Sequence, residues 1–502
     1  MFQPPASPRT PGALAKGAAL LGALLPASLP LPLPAAALPA TTGPEAASGR
    51  SPLAVYALVA PRSQAPSGLI ARVVLPAGVG CPPLEVRLGR GSGPSGGPGW
   101  FQLPMRQRSP GATTLRAFDS LLVCEAALPE RAQAARIAGR RLPAALPARI
   151  DSLAVFGDTG CRLKGSTIQA CNDANAWPLA RVVRSLVRER ADVAIYLGDF
   201  FYRESACPTG NNAQCGGSPA PLAGAPFTDS GWGWVADALV PMGPLLEAMP
   251  LVVVRGNHEL CSRGGNGYFL LFDPAFGSAD RCAPSAAGTA PVVYPASTAV
   301  DLPIAGGRRL RLVNVDSANG SDASIDERIA LAQRLLFRQA QRLARGASEA
   351  WLLTHRPINA VSSTAYLPSP PGGAATWSSL TQTYASEGLL APFQLMLSSH
   401  LHIAQVVQVP GQPGQIVLGN GGTLLDPPAY PMPPYGPLST ASGEPVQAGV
   451  KPLPKATFLA TWLRFGYALA EPSPSGWRFT MKDAEGVAFA SCQAEKRQVH
   501  CL

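Results

Sequence analysis

The sequence predicts an α/β layered fold with a β-rich stretch ahead of it. Two observations carry this. From Ile150 onward, short apolar runs of strand length alternate with amphipathic helical patterns. These runs also end repeatedly in polar, glycine-flanked segments, and strand ends are where sites assemble in layered α/β folds.

The runs come in order. Leu153–Phe156 leads into Gly157-Asp158, and Val193–Leu197 into Gly198-Asp199. Leu251–Val254 leads into Gly256-Asn257-His258, and Leu310–Val315, Trp351–Leu353 and Phe393–Leu397 repeat the pattern. A helix is expected from Pro178 to Arg190, with proline at its start and Leu179, Val182, Val183 and Leu186 on one face. A longer one is expected from Ile325 to Arg345, where Ile329, Leu331, Leu335 and Leu336 alternate with arginines and glutamines. Thr457 to Leu502 reads as short antiparallel strands closing the same domain, with a turn at Pro472 to Gly476.

Residues 41–149 read as a β-rich accessory region. Leu69–Leu75, Leu84–Leu88 and Leu121–Cys124 are its strand candidates, Gly89 to Gly99 is a loop, and Pro143 to Arg149 is the linker. The region holds no histidine, so no chemistry is expected in it. The catalytic domain is expected over residues 150–502.

The first 40 residues read as a signal peptide. Arg9 and Lys16 precede the short apolar core Ala18–Leu25, no acid occurs before Glu45, and cleavage fits at Ala35–Ala37 or after Ala40. The apolar stretch is too short and too broken by proline to span a bilayer. Ten cysteines fall as sequence neighbours, and none has zinc-ribbon spacing. An even count suits disulfides in an oxidising compartment, so a secreted or periplasmic location is expected, with the connectivity left open. The net charge is +10, but Arg and Lys are scattered without basic runs interleaved with aromatics. Nucleic-acid binding is therefore not expected, whereas attraction of anionic substrates is.

Five segments carry the chemistry: Asp158-Thr159-Gly160, Gly198-Asp199-Phe200-Phe201-Tyr202, Gly256-Asn257-His258-Glu259, Thr354-His355-Arg356-Pro357 and Ser399-His400-Leu401-His402. The chain has only five histidines, and four of them lie in these segments. Each segment alone is weakly informative. Their order and combination are specific.

That order resembles the metallophosphoesterase family. Within it, the purple acid phosphatases read Asp-x-Gly, Gly-Asp-x-x-Tyr, Gly-Asn-His-Glu, x-x-x-His and Gly-His-x-His. The resemblance covers about residues 150 to 425 and implies a four-layer α/β/β/α sandwich with its site at the strand ends. Carried over, it implies two metal ions. Asp158, Asp199, Tyr202 and His402 would hold the first, and Asp199, Asn257, His355 and His400 the second, with Asp199 bridging. The first set, rich in anionic oxygen, suits Fe(III); the second suits Zn, Mn or Fe(II). His258 is the implied catalytic residue, as general acid or charge stabiliser.

The implied reaction is hydrolysis of phosphate monoesters by metal-activated water. A phosphodiesterase or nucleotidase on the same site is the alternative, and a non-catalytic exported metal-binding module is a further one. Arg356 is a candidate second phosphate contact. The loops Cys207–Asp229 and Ala360–Trp377 are long enough to shape a pocket. Two departures from the family pattern are visible. Ser399 stands where glycine is usual, and Ile403-Ala404-Gln405 replaces the usual run after the last histidine. No histidine follows His355 within Arg356 to Tyr366.

Overall fold

The computed structural model describes residues 51–89, 99–108, 116–216, 227–277, 279–283, 289–321, 326–360, 388–426, 447–448, 451–452 and 457–501. The leader 1–40, most of the Gly89–Gly99 loop and nearly all of Ala360–Trp377 lie outside these residues. So do residues 217–226 of the Cys207–Asp229 loop.

Two large sheets organise the described chain. At the centre of the first, Leu153–Phe156, Val193–Tyr196 and Leu251–Val253 run parallel, as continuous apolar strands buried on both faces do. Antiparallel strands extend it from Gly466–Ser473 to Gln498–Cys501 on one side. In the second sheet, Arg309–Asn314, Glu349–Leu353, Leu395–Ser398 and Gly414–Leu418 are parallel neighbours. Ala404–Gln408 and Phe458–Trp462 complete one side of it antiparallel.

Side chains alternate across these strands, and the alternation assigns each face a partner. Val155, Ile195 and Leu197 of the first sheet share one buried core with Leu312, Trp351, Leu353 and Leu397 of the second. Ala154, Phe156, Ala194 and Tyr196 instead bury with Val182, Val183 and Leu186 of the helix Leu179–Glu189, and with Leu245 and Leu246 of Val240–Ala248. Val313, Leu352 and Met396 bury with Leu336, Phe337 and Ala340 of the helix Glu327–Ala344. Asp326 starts that helix, its carboxylate accepting from the Arg328 and Ile329 amides. Each such aliphatic side chain contributes about 1.5–3 kcal/mol when fully buried. Phe337→Ala, which opens a cavity under the helix, costs about 3–5 kcal/mol.

The described residues between 51 and 149 are strand-rich, but hydrogen bonding crosses the expected boundary. Ala54–Val59 joins the first sheet, where Leu58 lies beside Leu251 in parallel register. Leu69–Pro76, Leu121–Ala127 and Arg106–Gln107 follow it outward. A separate four-stranded sheet holds Leu84–Leu88 and its neighbours. The strand Leu251–Val253 is short and apolar, and it needs a partner on each edge to satisfy its backbone. The N-terminal strand supplies one. The C-terminal segment is also more extensive than expected: Gly466–Ser473, Gly476–Asp483 and Ala488–Glu495 are eight residues each, while Phe458–Trp462 serves the other sheet.

Candidate metal centre

The loops after Leu153–Phe156, Val193–Tyr196, Leu251–Val253, Glu349–Leu353 and Leu395–Ser398 converge at one end of the sheets. The Asp158 and Thr159 amides donate to the carbonyls of Gly198 and Asp199, which locks the first two loops together. Gly256 has no room for a side chain, because a Cβ there would stand 2.0 Å from Asp199 Oδ1. Asp158, Asp199 and His400 hold φ values of 54°, 60° and 73°. Non-glycine residues pay to occupy this left-handed region, and here the loop contacts hold them in it.

All seven expected ligands meet, in two groups that share Asp199. In the first, the Tyr202 hydroxyl lies 2.7 Å from Asp158 Oδ1, 2.9 Å from Asp199 Oδ2 and 3.0 Å from His402 Nε2. In the second, His355 Nε2 lies 3.0 Å from Asn257 Oδ1 and 3.2 Å from Asp199 Oδ2. Ligand atoms of Asp199, His355 and His400 fall within 4.8 Å of one another. Outer contacts aim the carboxylates: Asp199 Oδ1 accepts from the His258 amide at 2.8 Å, and Asp158 Oδ2 from the His400 amide at 2.9 Å.

These residues fit metal ions on two grounds. The first is tautomer. His402 Nδ1 lies 2.7 Å from the Leu424 carbonyl and His355 Nδ1 lies 2.9 Å from the Leu197 carbonyl. A carbonyl only accepts, so both Nδ1 atoms carry the proton, and a neutral ring presents a bare Nε2 to the site. At His355 that bare nitrogen faces two acceptor oxygens, an arrangement that a cation resolves. The second ground is charge. Burial, reinforced by Asp199, pushes the Asp158 carboxyl well above its usual range. Burial also pushes Asp199 up, but the His355 and His258 rings, in their protonated forms, and the His258 amide outweigh it and hold the group well below. Burial and then the two carboxylates push the Tyr202 phenol well up. Asp199 is thus ionised while Asp158 and the Tyr202 phenol are held toward their neutral forms, and a cation between them would let all three oxygens carry charge.

His258 stands beside this group. Its ring lies against Tyr202, tilted by 36°, with centroids 3.8 Å apart, and Nε2 is 3.9 Å from Asp199 Oδ2. Nδ1 is 2.7 Å from Glu204 Oε1 and 3.0 Å from the Phe201 carbonyl. Burial lowers its pKa to about 3.

Several residues at the site carried no sequence signal. Glu204 pairs with both His258 and Arg263. Arg263 Nη2 also lies 2.8 Å from His258 Nε2. Glu259 belongs to a motif, yet its role appears only in the fold: it accepts the amides of Asp199, Phe200, Phe201 and Gly256. Asp426 accepts the His402 amide at 2.9 Å. Arg356, flagged in sequence, places Nη1 2.9 Å from His400 Nε2. Ser399, the departure from the glycine pattern, donates to the Leu197 carbonyl at 2.7 Å and lies 3.0 Å from His355 Nδ1. His500 sits far along the chain in the terminal strand and joins no site.

Among solved structures the chain is similar to the purple acid phosphatase PPD1 of yellow lupin (Lupinus luteus) seeds. Identity is 12% and TM-score 0.48, over 88% of this chain and 74% of that one. It is similar to PhoD at 11% identity and TM-score 0.48, over 91% and 93%. A third likeness is to GAP50, described as the anchor in the inner membrane complex of Plasmodium, at 14% identity and TM-score 0.37, over 70% and 88%. No curated protein matches the sequence. The profile of the calcineurin-like phosphoesterases matches residues 152–403, from the strand before Asp158 to the loop that carries His400 and His402, and the protein belongs to that family.

Proposed function

We propose that the protein is an exported dinuclear-metal phosphatase that hydrolyses phosphate monoesters, with the ligand set of the purple acid type. One observation carries the reading: two donor groups share Asp199, one centred on the Tyr202 hydroxyl and one on His355 Nε2. Asp158, Asp199, Tyr202 and His402 would hold Fe(III), to which a phenolate and two carboxylates are matched hard donors. Asp199, Asn257, His355 and His400 would hold Zn, Mn or Fe(II). The chemistry such ions supply is Lewis acidity toward phosphoryl oxygens and acidification of water.

The chain's own residues do the rest. Glu204 and the Phe201 carbonyl hold His258 Nδ1, which turns Nε2 toward the side of the site where Asp199 lies. With Nδ1 protonated, the ring would act from there as the imidazolium, the state that the Glu204 carboxylate favours, stabilising charge on the phosphoryl group or delivering the Nε2 proton to the leaving oxygen. Arg356 and Arg263 flank the two donor groups, and Arg162 lies over the Tyr202 ring at 5.7 Å. That cationic surround favours the dianion of a monoester over the monoanion of a diester.

Export is supported by five disulfides that pair all ten cysteines as sequence neighbours: Cys81–Cys124, Cys161–Cys171, Cys207–Cys215, Cys261–Cys282 and Cys492–Cys501. Such bonds persist in oxidising compartments. No helix among the described residues is long and apolar enough to cross a membrane.

The test is metal analysis of natively produced protein alongside hydrolysis of an aryl phosphate monoester and of the matching bis-ester. Two metals per chain with faster monoester turnover is the expected result. Faster bis-ester turnover moves the substrate class to diesters. Two bound metals without turnover of either ester mean that the centre is not catalytic.

A further inference from the structure

We infer that Asp237 is the positioning residue of the first metal site, fixing the relative placement of the Asp158 and Tyr202 loops. The inference rests on the reading of Asp158, Tyr202 and His402 as ligands of that site. Asp237 lies on none of the five motif segments and touches none of the proposed ligand atoms. It sits on Val235–Leu239, a π-helical turn between the α-helical segments Gly231–Trp234 and Val240–Ala248. A π-turn inserts one residue into a helix and re-aims the side chains around it, and such turns concentrate at functional sites.

The carboxylate is fully buried, and its hydrogen bonds go to the site loops and to the residue after Tyr202. Oδ1 accepts the Cys161 amide at 3.0 Å and Arg203 Nε at 2.7 Å. Oδ2 accepts the Tyr202 amide at 2.8 Å and the Arg203 amide at 3.2 Å. One side chain therefore ties the loop of Asp158 to the loop of Asp199 and Tyr202, and it does so at the backbone of Tyr202 itself. Arg203, also fully buried, supplies the counter-charge.

The fit explains Gly160. A Cβ there would stand 2.8 Å from Asp237 Oδ2 and 2.5 Å from the Phe200 carbonyl. The loops close on the carboxylate only because residue 160 has no side chain. The requirement is for a carboxylate rather than any polar group. Both oxygens accept two donors, so an amide in either orientation would turn an NH2 toward two N–H groups. Releasing the Tyr202 amide would let the phenol swing away from Asp158 Oδ1 and His402 Nε2, while Asp199 stays held by Glu259 and the His258 amide, and His355, Asn257 and His400, carried by other loops, keep their places.

The test is Asp237→Asn in the full chain. Expected is a loss of about 10- to 100-fold in affinity at the first site. Metal content then falls from two ions toward one, and the tyrosinate absorption fades in step. The melting transition should keep its cooperativity and the second ion should resist chelation as in the wild type. A purely structural role predicts the opposite pattern: a lowered Tm with both metals retained and the absorption unchanged. That result, or wild-type metal affinity and kinetics, overturns the inference. Should Asp237→Asn not fold, Asp237→Ser shrinks the side chain and admits water to the freed amides, and the same selective loss is expected of it. A wild-type chain that binds no metal defeats the parent reading instead, so the two failures are distinguishable.

Discussion

Tyr202 and Asp158 meet across 44 residues of sequence, with the phenol oxygen 2.7 Å from Oδ1 of a carboxylate that is itself fully buried. Tyr202→Phe removes the oxygen and preserves the ring that lies against His258. The variant should fold and keep its Tm within a few degrees. It should lose the visible phenolate-to-iron absorption and bind the first metal more weakly. A fully metallated, active wild-type protein without that absorption would defeat the ferric assignment alone.

Ligands and His258 should separate experimentally. Asp199→Asn and His400→Ala should each lose metal and activity together. His258→Ala should keep both metals while kcat falls by about 10²–10⁴, the range for a lost general acid. Glu204→Gln, which weakens the hold on Nδ1, should lower kcat less than His258→Ala and leave metal content alone. Metal loss in His258→Ala would make the residue a ligand or a structural element.

Protein recovered from its native compartment should show no titratable thiol when denatured without reductant, because all ten cysteines pair. Closing a loop of this kind stabilises by about 2–4 kcal/mol. The Cys161–Cys171 bond lies beside the Asp158 loop, so Cys171→Ala paired with Cys161→Ala should reduce first-site metal retention more than removal of Cys492–Cys501. Several free thiols in native protein would argue against an oxidising compartment.

The sequence showed the five site segments and most central strands because their signals are local. An apolar run ending in Gly-Asp or Asn-His is contiguous, and the helices at 179–189 and 327–344 announce themselves through periodicity, the first also through the proline at its start. What escaped it depends on pairing through space. Glu204 meets His258 over 54 positions, and Asp237 meets Cys161 over 76. An acid in a loop or a helix carries no mark of what it faces once folded. The strand Ala54–Val59 escaped for a similar reason, since its neighbour Leu251–Val253 is about 200 residues away and no spacing links them.

That pairing predicts that residues 150–502 do not fold as an independent unit. A chain beginning at Ile150 would expose the edge of Leu251–Val253, the strand that leads into Asn257 and His258. It should be insoluble or lack a cooperative melt, whereas a chain beginning near Ser51 should fold and bind metal. Soluble, active protein from residue 150 onward would show the N-terminal strands to be dispensable.

The tightest link between those strands and the site is Glu125, buried between Arg72 and Arg108 at 3.1 Å from each. The same two guanidiniums reach across to the segment that follows the motif of His258. Arg108 donates to the Phe269 and Leu270 carbonyls, and Arg72 to those of Leu271 and Asp273. They cap the C-terminal end of the helix Gly265–Leu271, where free carbonyls gather partial negative charge. Burial pushes the Glu125 carboxyl up, but Arg72, Arg108 and the Gly277 amide outweigh it and hold the group below its usual range. The sign follows. A group with a depressed folded pKa stabilises the fold above its unfolded value of about 4.3, and that stability is lost as pH falls through the folded value. Wild-type Tm should therefore drop on acidification below about pH 4. Glu125→Gln leaves two buried guanidiniums without their anion and should cost about 3–5 kcal/mol at neutral pH. Its Tm should also fall less steeply with acid, because the titrating group is gone. Melting curves of both proteins from neutral pH to below pH 4 check the pair of statements. An equal acid slope in the two would place the acid sensitivity elsewhere.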